Sequence, residues 1–328
     1  MFPKLSHSFQ IDRLTPPTGR SRIVIDTDTY NEIDDQFAVV YALLSPEKMS
    51  VEAIYAAPFF NHRAESAGQG MELSYDEIGR LLDRLGLSGE NFAYLGSNGF
   101  LQDERTPIKS EAVDDLITRA MASADDDPLT VVAIGALTNI ASAILLEPEI
   151  IKKITVVWLG GNALHWPHTI EFNLAGDVSA ARVVYDCGVP LVMLPCAGVT
   201  THLSTTVPEI EKYVLGKGAI GNFLAQRFME YSDDHFGWSK EIWDVIAIAY
   251  LINPDWAPSY IVPSPIIAQR NSSDVGLCDD PNWYGGHLVW ATDPSRHPIR
   301  YMYHLKRDPI FRDMFTKLDK FAKGEIKL

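Results

Sequence analysis

The sequence lacks the features that mark several large classes of protein. It holds no apolar run near the roughly 20 residues of a membrane-spanning helix, and no internal repeat, low-complexity tract or Gly/Ser linker. The segment 1–20 has no apolar signal core. These absences predict one globular domain over 21–328 with an N-terminal extension at 1–20, in a cytoplasmic protein with no membrane partner.

Basic residues and cysteine pairs are also scarce. The chain has 28 Lys+Arg against 43 Asp+Glu, a formal net charge of −15. This balance argues against nucleic acid or an anionic membrane as the partner, because phosphate binding needs a basic surface. The cysteines Cys187, Cys196 and Cys278 form no CxxC pair. Their odd number favours reduced core thiols over a disulfide framework or a zinc site.

Short apolar runs alternate with longer helix-like stretches along most of the chain. The runs SRIVID, SVEAIYAA, LTVVAIG and KITVVWLGG are each followed by such a stretch. Apolar strands connected by helices are typical of a parallel sheet covered on both faces. We therefore predict an α/β fold with an open, mostly parallel, Rossmann-like sheet. Residues 208–251 favour helices, and residues 260–300 favour short strands or loops.

A dense acidic cluster follows the first predicted strand. The string DTDTYNEIDD holds five carboxylates, those of Asp26, Asp28, Glu32, Asp34 and Asp35. In open parallel sheets the ligand crevice lies at the carboxyl ends of the strands. Crowded carboxylates repel one another unless protons or a cation hold them, and such hard oxygen ligands suit Ca²⁺ or Mg²⁺. The alternative is a solvated loop in which an acidic residue caps the next helix.

Two enzyme families carry carboxylates in this arrangement. IVIDTDTY resembles the DxDxT motif of haloacid-dehalogenase-type phosphatases, in which Asp26 would be the nucleophile and Asp28 the acid. The longer DTDTYNEIDDQFA resembles the DxDPGxDDxxA fingerprint of the nucleoside hydrolases, with Pro-Gly replaced and two residues inserted. Three later segments resemble that family in the same order: AIGALTNIASAILLEP, WLGGNALHWPHTIEFNLAGDVSAA and IWDVIAIAYLINPD.

The resemblance implies Ca²⁺-dependent hydrolysis of the N-glycosidic bond of ribonucleosides to ribose and free base. The reaction would use a metal-activated water and an oxocarbenium-like transition state. By position, Asp28 would be a metal ligand and the general base. Asp35, Asp244 and the backbone carbonyl of Ile134 would complete the calcium site, and Asp26 would orient the loop. The family also implies a homodimer or homotetramer.

The same resemblance implies contacts to the sugar. Asp34 would accept a hydrogen bond from the 2′-hydroxyl, and Asn61 would reach the 3′-hydroxyl. Glu171 and Asn162 would lie at the 5′ side, and Asn173 near the 2′- and 3′-hydroxyls. An asparagine after a strand is also a common turn residue, and a glutamate can be a surface charge. The side chain of Asn139, in the LTN segment, is interpreted as structural.

Two residues are predicted to act on the base of the substrate. Trp243 stands where pyrimidine-tolerant members of the family have a histidine, and it resembles the tryptophan of purine-specific members, which stacks on the base. This predicts purine preference, with packing in the core as the alternative. His235, in YSDDHFGWSK, would protonate the leaving base. The longer metal loop could add Asn31 or Glu32 as a substrate contact and select a modified N-riboside.

The sequence leaves two alternative functions possible. A phosphatase would require Mg²⁺ and a Lys or Arg that grips phosphate after a later strand, and the sequence offers no convincing candidate for it. A non-catalytic nucleoside- or ribose-binding protein would keep the metal site and lack turnover.

Overall fold

Strands and helices alternate along most of the chain in the structure, a computed structural model that describes residues 2–269 and 288–328. Cys278 lies outside the described residues. The strands are β1 (Ser21–Thr27), β2 (Met49–Ala56), β3 (Ala93–Tyr94), β4 (Leu129–Ala133), β5 (Ile154–Leu159), β6 (Leu191–Leu194), β7 (Ser204–Thr206), β8 (Ser239–Glu241), β9 (Ser259–Pro263), β10 (Ile266–Gln269), β11 (Leu288–Ala291) and β12 (Pro298–Met302). The helices are α1 (His7–Arg13), α2 (Asp34–Leu43), α3 (Ala67–Leu85), α4 (Glu111–Ala122), α5 (Thr138–Leu146), α6 (Phe172–Gly176), α7 (Val178–Asp186), α8 (Val207–Tyr213), α9 (Gly218–Glu230), α10 (Val245–Ile252) and α11 (Arg307–Ala322).

Eight strands form the central sheet, in the order β3-β2-β1-β4-β5-β6-β12-β9. Every neighbouring pair in it is parallel except β12 with β9 at one edge. Two small antiparallel pairs, β7 with β8 and β10 with β11, lie outside it. The prediction of an α/β fold with a mostly parallel sheet is confirmed.

The continuous apolar strands are explained by helices on both faces of the sheet. In β1, Ile23 and Ile25 belong to one core cluster with α2, α3 and α10, whereas Val24 belongs to a second cluster with α4, α5 and α7. All three side chains are fully buried. Successive strand residues point to opposite faces, so a strand covered on both sides needs apolar residues at every position. Burial of each such side chain contributes about 1.5–3 kcal/mol relative to exposure.

The chain reverses its direction across the sheet beside β1. From β1 it proceeds outward to β2 and β3, and it then returns to β4 on the other side of β1. The carboxyl ends of β1 and β4 therefore border the crevice at which open α/β sheets bind ligands. The acidic cluster of the sequence begins at this point.

The N-terminal extension packs against the domain. Gln10, in α1, donates a hydrogen bond from its side-chain amide to the Gly188 carbonyl at 2.9 Å, and Arg300 donates one to the Leu14 carbonyl. The boundary at residue 21 stays a prediction. None of the helices in the described part of the chain combines the length and the apolar character that crossing a membrane requires.

Asn139 joins the carboxyl ends of three strands beneath the crevice. Its Nδ2 donates to Asp26 Oδ1 at 2.7 Å and to the Ala56 carbonyl at 3.2 Å, and its Oδ1 accepts from the Ser97 backbone N–H at 2.8 Å. Asp26 lies in β1, Ala56 ends β2, and Ser97 follows β3. The structural interpretation of this asparagine agrees with these contacts.

We expect Asn139→Ala to lower the free energy of unfolding by about 1–3 kcal/mol, because it leaves buried polar groups without partners. Chemical denaturation measures the change. Asn222→Ala is the matched control, since Asn222 is exposed and accepts one hydrogen bond from Gly216. Equal losses in the two variants would contradict the structural role of Asn139.

Candidate active site

A cavity of about 420 Å³ opens at the carboxyl ends of β1, β4, β5 and β6. Its wall consists of Asp28, Asn31, Glu32, Asp34, Asp35, Ile134, Leu159, Asn162, Trp166, His168, Ile170, Glu171, Phe172, Asn173, Cys196, Ala197, Trp243 and Asp244. Six of these residues carry a carboxylate, and none is a lysine or arginine. The wall therefore favours cations and hydroxyl donors.

Three of the carboxylates converge although one of them comes from a distant part of the chain. Ligand oxygens of Asp34, Asp35 and Asp244 lie within 4.8 Å of one another, and all three residues are buried. Asp34 and Asp35 begin α2, and Asp244 is the residue before α10. The resemblance assigned Asp35 and Asp244 to the metal and Asp34 to the sugar, whereas the structure brings Asp34 equally close.

Asp28 lies in the same wall and is only 1% exposed. Neither of its carboxylate oxygens has a hydrogen-bond partner in the described part of the chain. The backbone approaches it closely: a Cβ on Gly135 would lie 3.3 Å from Asp28 Cγ and 3.0 Å from the Ala57 Cβ. A buried carboxylate without a donor is costly, so this arrangement suits a cation or a substrate that supplies the missing interaction.

Burial and mutual repulsion make these carboxylates hold protons tightly. Burial, together with the charge of Asp34, raises the pKa of Asp35 to about 8. Burial raises the pKa of Asp34 to about 6. The pKa values of Asp28 and Asp244 are raised well above the usual range by burial and by the neighbouring aspartates. A divalent cation would replace these protons and relieve the repulsion.

Asp26 lies beneath the site and outside the cavity wall. It is fully buried, and burial raises its pKa to about 7 although Asn139 donates to it. This position agrees with the expectation that Asp26 orients the loop. A phosphatase nucleophile must reach its substrate, so the position of Asp26 argues against the phosphatase alternative.

Glu171 lies in the wall as expected, but much of its acceptor capacity serves the fold. It caps α6: one carboxylate oxygen accepts from the Asn173 backbone N–H at 2.6 Å, and the other accepts from the backbone N–H groups of Gly161 at 2.5 Å and Leu174 at 3.1 Å. The Cys196 side chain is a further hydrogen-bond partner of this carboxylate.

The two predicted asparagines of this wall differ in what they can offer a substrate. The amide of Asn162 donates to the Ile170 carbonyl at 2.7 Å and accepts from the Ala197 N–H at 3.1 Å, so both of its polar ends bind the scaffold. Asn173 donates to the carbonyls of Ile134 at 3.2 Å and Leu159 at 3.0 Å. Its Oδ1 keeps the capacity to accept from a hydroxyl.

Two predicted site residues do not lie in the wall. Asn61 instead donates to Asn31 Oδ1 at 2.7 Å. His235 lies 3.1 Å from the Met229 carbonyl through its Nε2, and its ring packs on Trp238. A carbonyl only accepts, so this nitrogen donates its hydrogen there, and the role of His235 as the acid for the leaving base stays a prediction.

Trp243 lies in the wall beside Asp244 and packs partly against the core. Its contact with a base stays a prediction. Sequence reasoning missed Cys196 and Ala197 in the wall. They follow the end of β6 by two and three residues, so the rule about strand ends could have found them.

The longer loop between β1 and α2 contributes two residues to the wall, Asn31 and Glu32. Glu32 is tied to the segment before α10: Tyr231 donates its hydroxyl proton to one carboxylate oxygen at 2.9 Å, and the Lys240 ammonium contacts the other. The ammonium also lies 5.0 Å from the Tyr231 ring centroid. These contacts join the loop to the segment between α9 and α10.

Comparison with known proteins agrees with this geometry. Residues 23–280 match the model of the inosine-uridine preferring nucleoside hydrolases. The chain is similar to probable uridine nucleosidase 2 of Arabidopsis thaliana, with 29% identity over 66% of this chain and 71% of that protein. It is similar to the non-specific ribonucleoside hydrolase RihC of Salmonella paratyphi B, with 29% identity over 73% of this chain and 80% of that protein.

A solved structure supports the fold. The purine-preferring ribonucleoside hydrolase of Gardnerella vaginalis superposes with a TM-score of 0.70 at 21% identity, over 93% of this chain and 100% of that one. The matched family model spans the acidic loop, the β4 end and Asp244. The chain therefore belongs to the inosine-uridine preferring nucleoside hydrolase family and is an enzyme of that class.

Proposed function

We propose that the chain hydrolyses the N-glycosidic bond of ribonucleosides, with preference for purines, in a calcium-dependent reaction that releases ribose and free base. The observation that carries the proposal is the buried, unpartnered carboxylate of Asp28 in one cavity with Asp34, Asp35 and Asp244. Family membership supports the reaction class. The proposal of calcium rests on the oxygen donor set, and the proposal of purine preference rests on Trp243.

The donor set fits a hard divalent cation. Asp28, Asp35, Asp244 and the carbonyl of Ile134 would hold it, since all of them line the cavity and offer oxygen. Asp34 is close enough to share in this role. When bound, calcium would supply positive charge that orients a water and the ribose hydroxyls and lowers the pKa of that water.

The chain's own residues would carry out the proton transfer. Asp28 accepts a proton from the attacking water, whose oxygen forms the bond to C1′ while the bond from C1′ to the base nitrogen breaks. Asp34 and Asn173 accept hydrogen bonds from ribose hydroxyls and hold the sugar. The surrounding carboxylates favour the positive charge that develops on the ribose.

The leaving base would contact Trp243. An indole plane stacked on a purine stabilises it over a large area, and the stacked base takes its proton from solvent. The names of two relatives indicate other preferences: the Arabidopsis protein is called a probable uridine nucleosidase, and the Salmonella protein a non-specific ribonucleoside hydrolase. Base preference is therefore measured with both purine and pyrimidine nucleosides.

Cytoplasmic location and assembly as a homodimer or homotetramer stay predictions. The expectation that neither nucleic acid nor a membrane is a partner rests on the acidic composition.

We expect ribose release from inosine, guanosine and adenosine to exceed that from uridine and cytidine in kcat/KM, because a purine offers the larger face to Trp243. A reducing-sugar assay with calcium, and with a chelator in parallel, measures it. Trp243→Ala should lower kcat/KM more for purines than for uridine. A faster reaction with uridine would refute purine preference, and binding without ribose release would favour a non-catalytic protein.

We expect Asp28→Asn to lower kcat by about hundredfold to ten-thousandfold, the usual contribution of a general base. The substitution keeps the shape of the side chain, so the fold should persist, as circular dichroism would show. Asp76→Asn is the control, because Asp76 is exposed on α3 and outside the cavity wall. Normal turnover by Asp28→Asn would remove Asp28 from the reaction.

We expect the metal-free protein to lose stability as pH rises from about 4 to about 8. The pKa values of Asp34 and Asp35 rise from 3.8 when unfolded to about 6 and about 8 when folded. The folded state therefore binds more protons, and raising the pH destabilises it. Calcium should raise Tm most at the high end of this range, where protons no longer compete.

Calorimetric scans with and without calcium measure both effects. A variant with Asp35→Asn and Asp244→Asn should lose the calcium-dependent rise in Tm and show a shallower dependence on pH. An undiminished rise in Tm in that variant would place the cation elsewhere.

A further inference from the structure

We infer that the side-chain amide of Asn31 donates a hydrogen bond to an acceptor atom of the substrate's base, and that Asn61 positions this amide. The inference rests on the proposed function and concerns the base end of the same cavity. It assigns a role to the longer loop between β1 and α2, in which this chain departs from the fingerprint of its family.

The donor direction of the Asn31 amide follows from a chain of hydrogen bonds that begins at a backbone N–H. The N–H of Arg63 can only donate, and it donates to Asn61 Oδ1 at 2.8 Å. The other end of that amide, Asn61 Nδ2, must then be the donor to Asn31 Oδ1 at 2.7 Å. The Nδ2 group of Asn31 consequently faces away from Asn61, and it has no partner among the described residues.

Asn31 is held in place on both sides. Its backbone N–H donates to the Asp28 carbonyl at 2.7 Å, and the following residue, Glu32, is bound by Tyr231 and Lys240. Asn31 is 8% exposed and lies in the cavity wall. A donor fixed in this way before substrate arrives loses little conformational freedom on binding, so its hydrogen bond contributes more fully to recognition.

Matching of donors to acceptors assigns Asn31 to the base. Three side-chain amides line the described cavity wall, and Asn162 and Asn173 spend their N–H₂ groups on backbone carbonyls. The carboxylates of the wall accept hydrogen bonds, as the hydroxyls of ribose require. The ring nitrogens and exocyclic oxygen of a purine require donors instead, and Asn31 keeps such a group.

The first test removes the amide and compares substrates that lack single acceptors. For Asn31→Ala, kcat/KM relative to wild type should fall roughly threefold to tenfold with inosine, the usual effect of one neutral hydrogen bond. With 7-deazainosine, 3-deazainosine and purine riboside, the same ratio should return to near one for the analogue that lacks the bound acceptor. Each ratio compares the variant with wild type on one substrate. Differences among the substrates in the intrinsic reactivity of the glycosidic bond therefore cancel.

The second test turns the Asn31 amide around by a substitution at Asn61, which lies outside the cavity wall. In Asn61→Asp the carboxylate still accepts from the Arg63 N–H, but it cannot donate to Asn31. The Asn31 amide should then turn its Nδ2 toward residue 61 and present Oδ1 to the cavity. We expect a loss with inosine at least as large as that of Asn31→Ala, expressed mainly in KM, and no further loss when Asn61→Asp is added to Asn31→Ala.

Asn222→Asp is the control, because it adds the same charge at an exposed asparagine outside the cavity wall, and its ratios should stay near one for all substrates. Equal losses of Asn31→Ala across the four substrates would mean that Asn31 serves the sugar or the fold, and would overturn the inference. So would additive losses in the double variant. Should Asn31→Ala fail to fold by circular dichroism, Asn31→Ser is measured in its place. Absence of ribose release by the wild type would instead defeat the proposed function.

Discussion

Three buried aspartates converge at the carboxyl edge of the sheet and share a cavity with a fourth, Asp28, and the repulsion between their charges governs the rest of the site. Two unit charges about 4 Å apart repel by about 4 kcal/mol at the effective dielectric constant near a protein surface. Ligand oxygens of Asp34, Asp35 and Asp244 lie within 4.8 Å of one another, and Asp28 shares their cavity. Protons or a cation must compensate them, so the expected pH dependence of stability and the proposed cation site are two consequences of one constraint.

The fold holds these charges in place through groups that never reach the cavity. Asn139 ties β1, β2 and the segment after β3 together, and it engages Asp26 beneath the loop. Gly135 lets the end of β4 approach Asp28 closely. Two helices, α2 and α10, begin at the cluster, so the positive ends of their dipoles face the carboxylates. The same geometry that crowds the charges also moderates their repulsion.

Substrate selection falls to the parts of the cavity that differ most from the fingerprint of the family. The sugar half is built from carboxylates and from asparagines whose amides support the backbone. In the proposed function the base would contact Trp243 and Asn31, which both line the cavity; Asn31 belongs to the longer loop and accepts a hydrogen bond from Asn61. Contacts of Glu32 with Tyr231 and Lys240 join this loop to the segment between α9 and α10. A change at any of these residues should alter which base is accepted more than whether the bond is broken.

The sequence by itself determined the α/β class, the carboxylates of the acidic loop and the distant Asp244. Apolar periodicity and a motif with ordered spacing can be recognised without any knowledge of contacts. Only the tertiary structure decided the hydrogen-bond partners. Asn61 and His235 carry suitable groups for a substrate, yet their partners are Asn31 and the Met229 carbonyl. Glu171 and Asn162 line the cavity but serve the backbone around them. The residue type determines which groups a side chain can bind. The direction in which the side chain points depends on the loops and helices that pack around it.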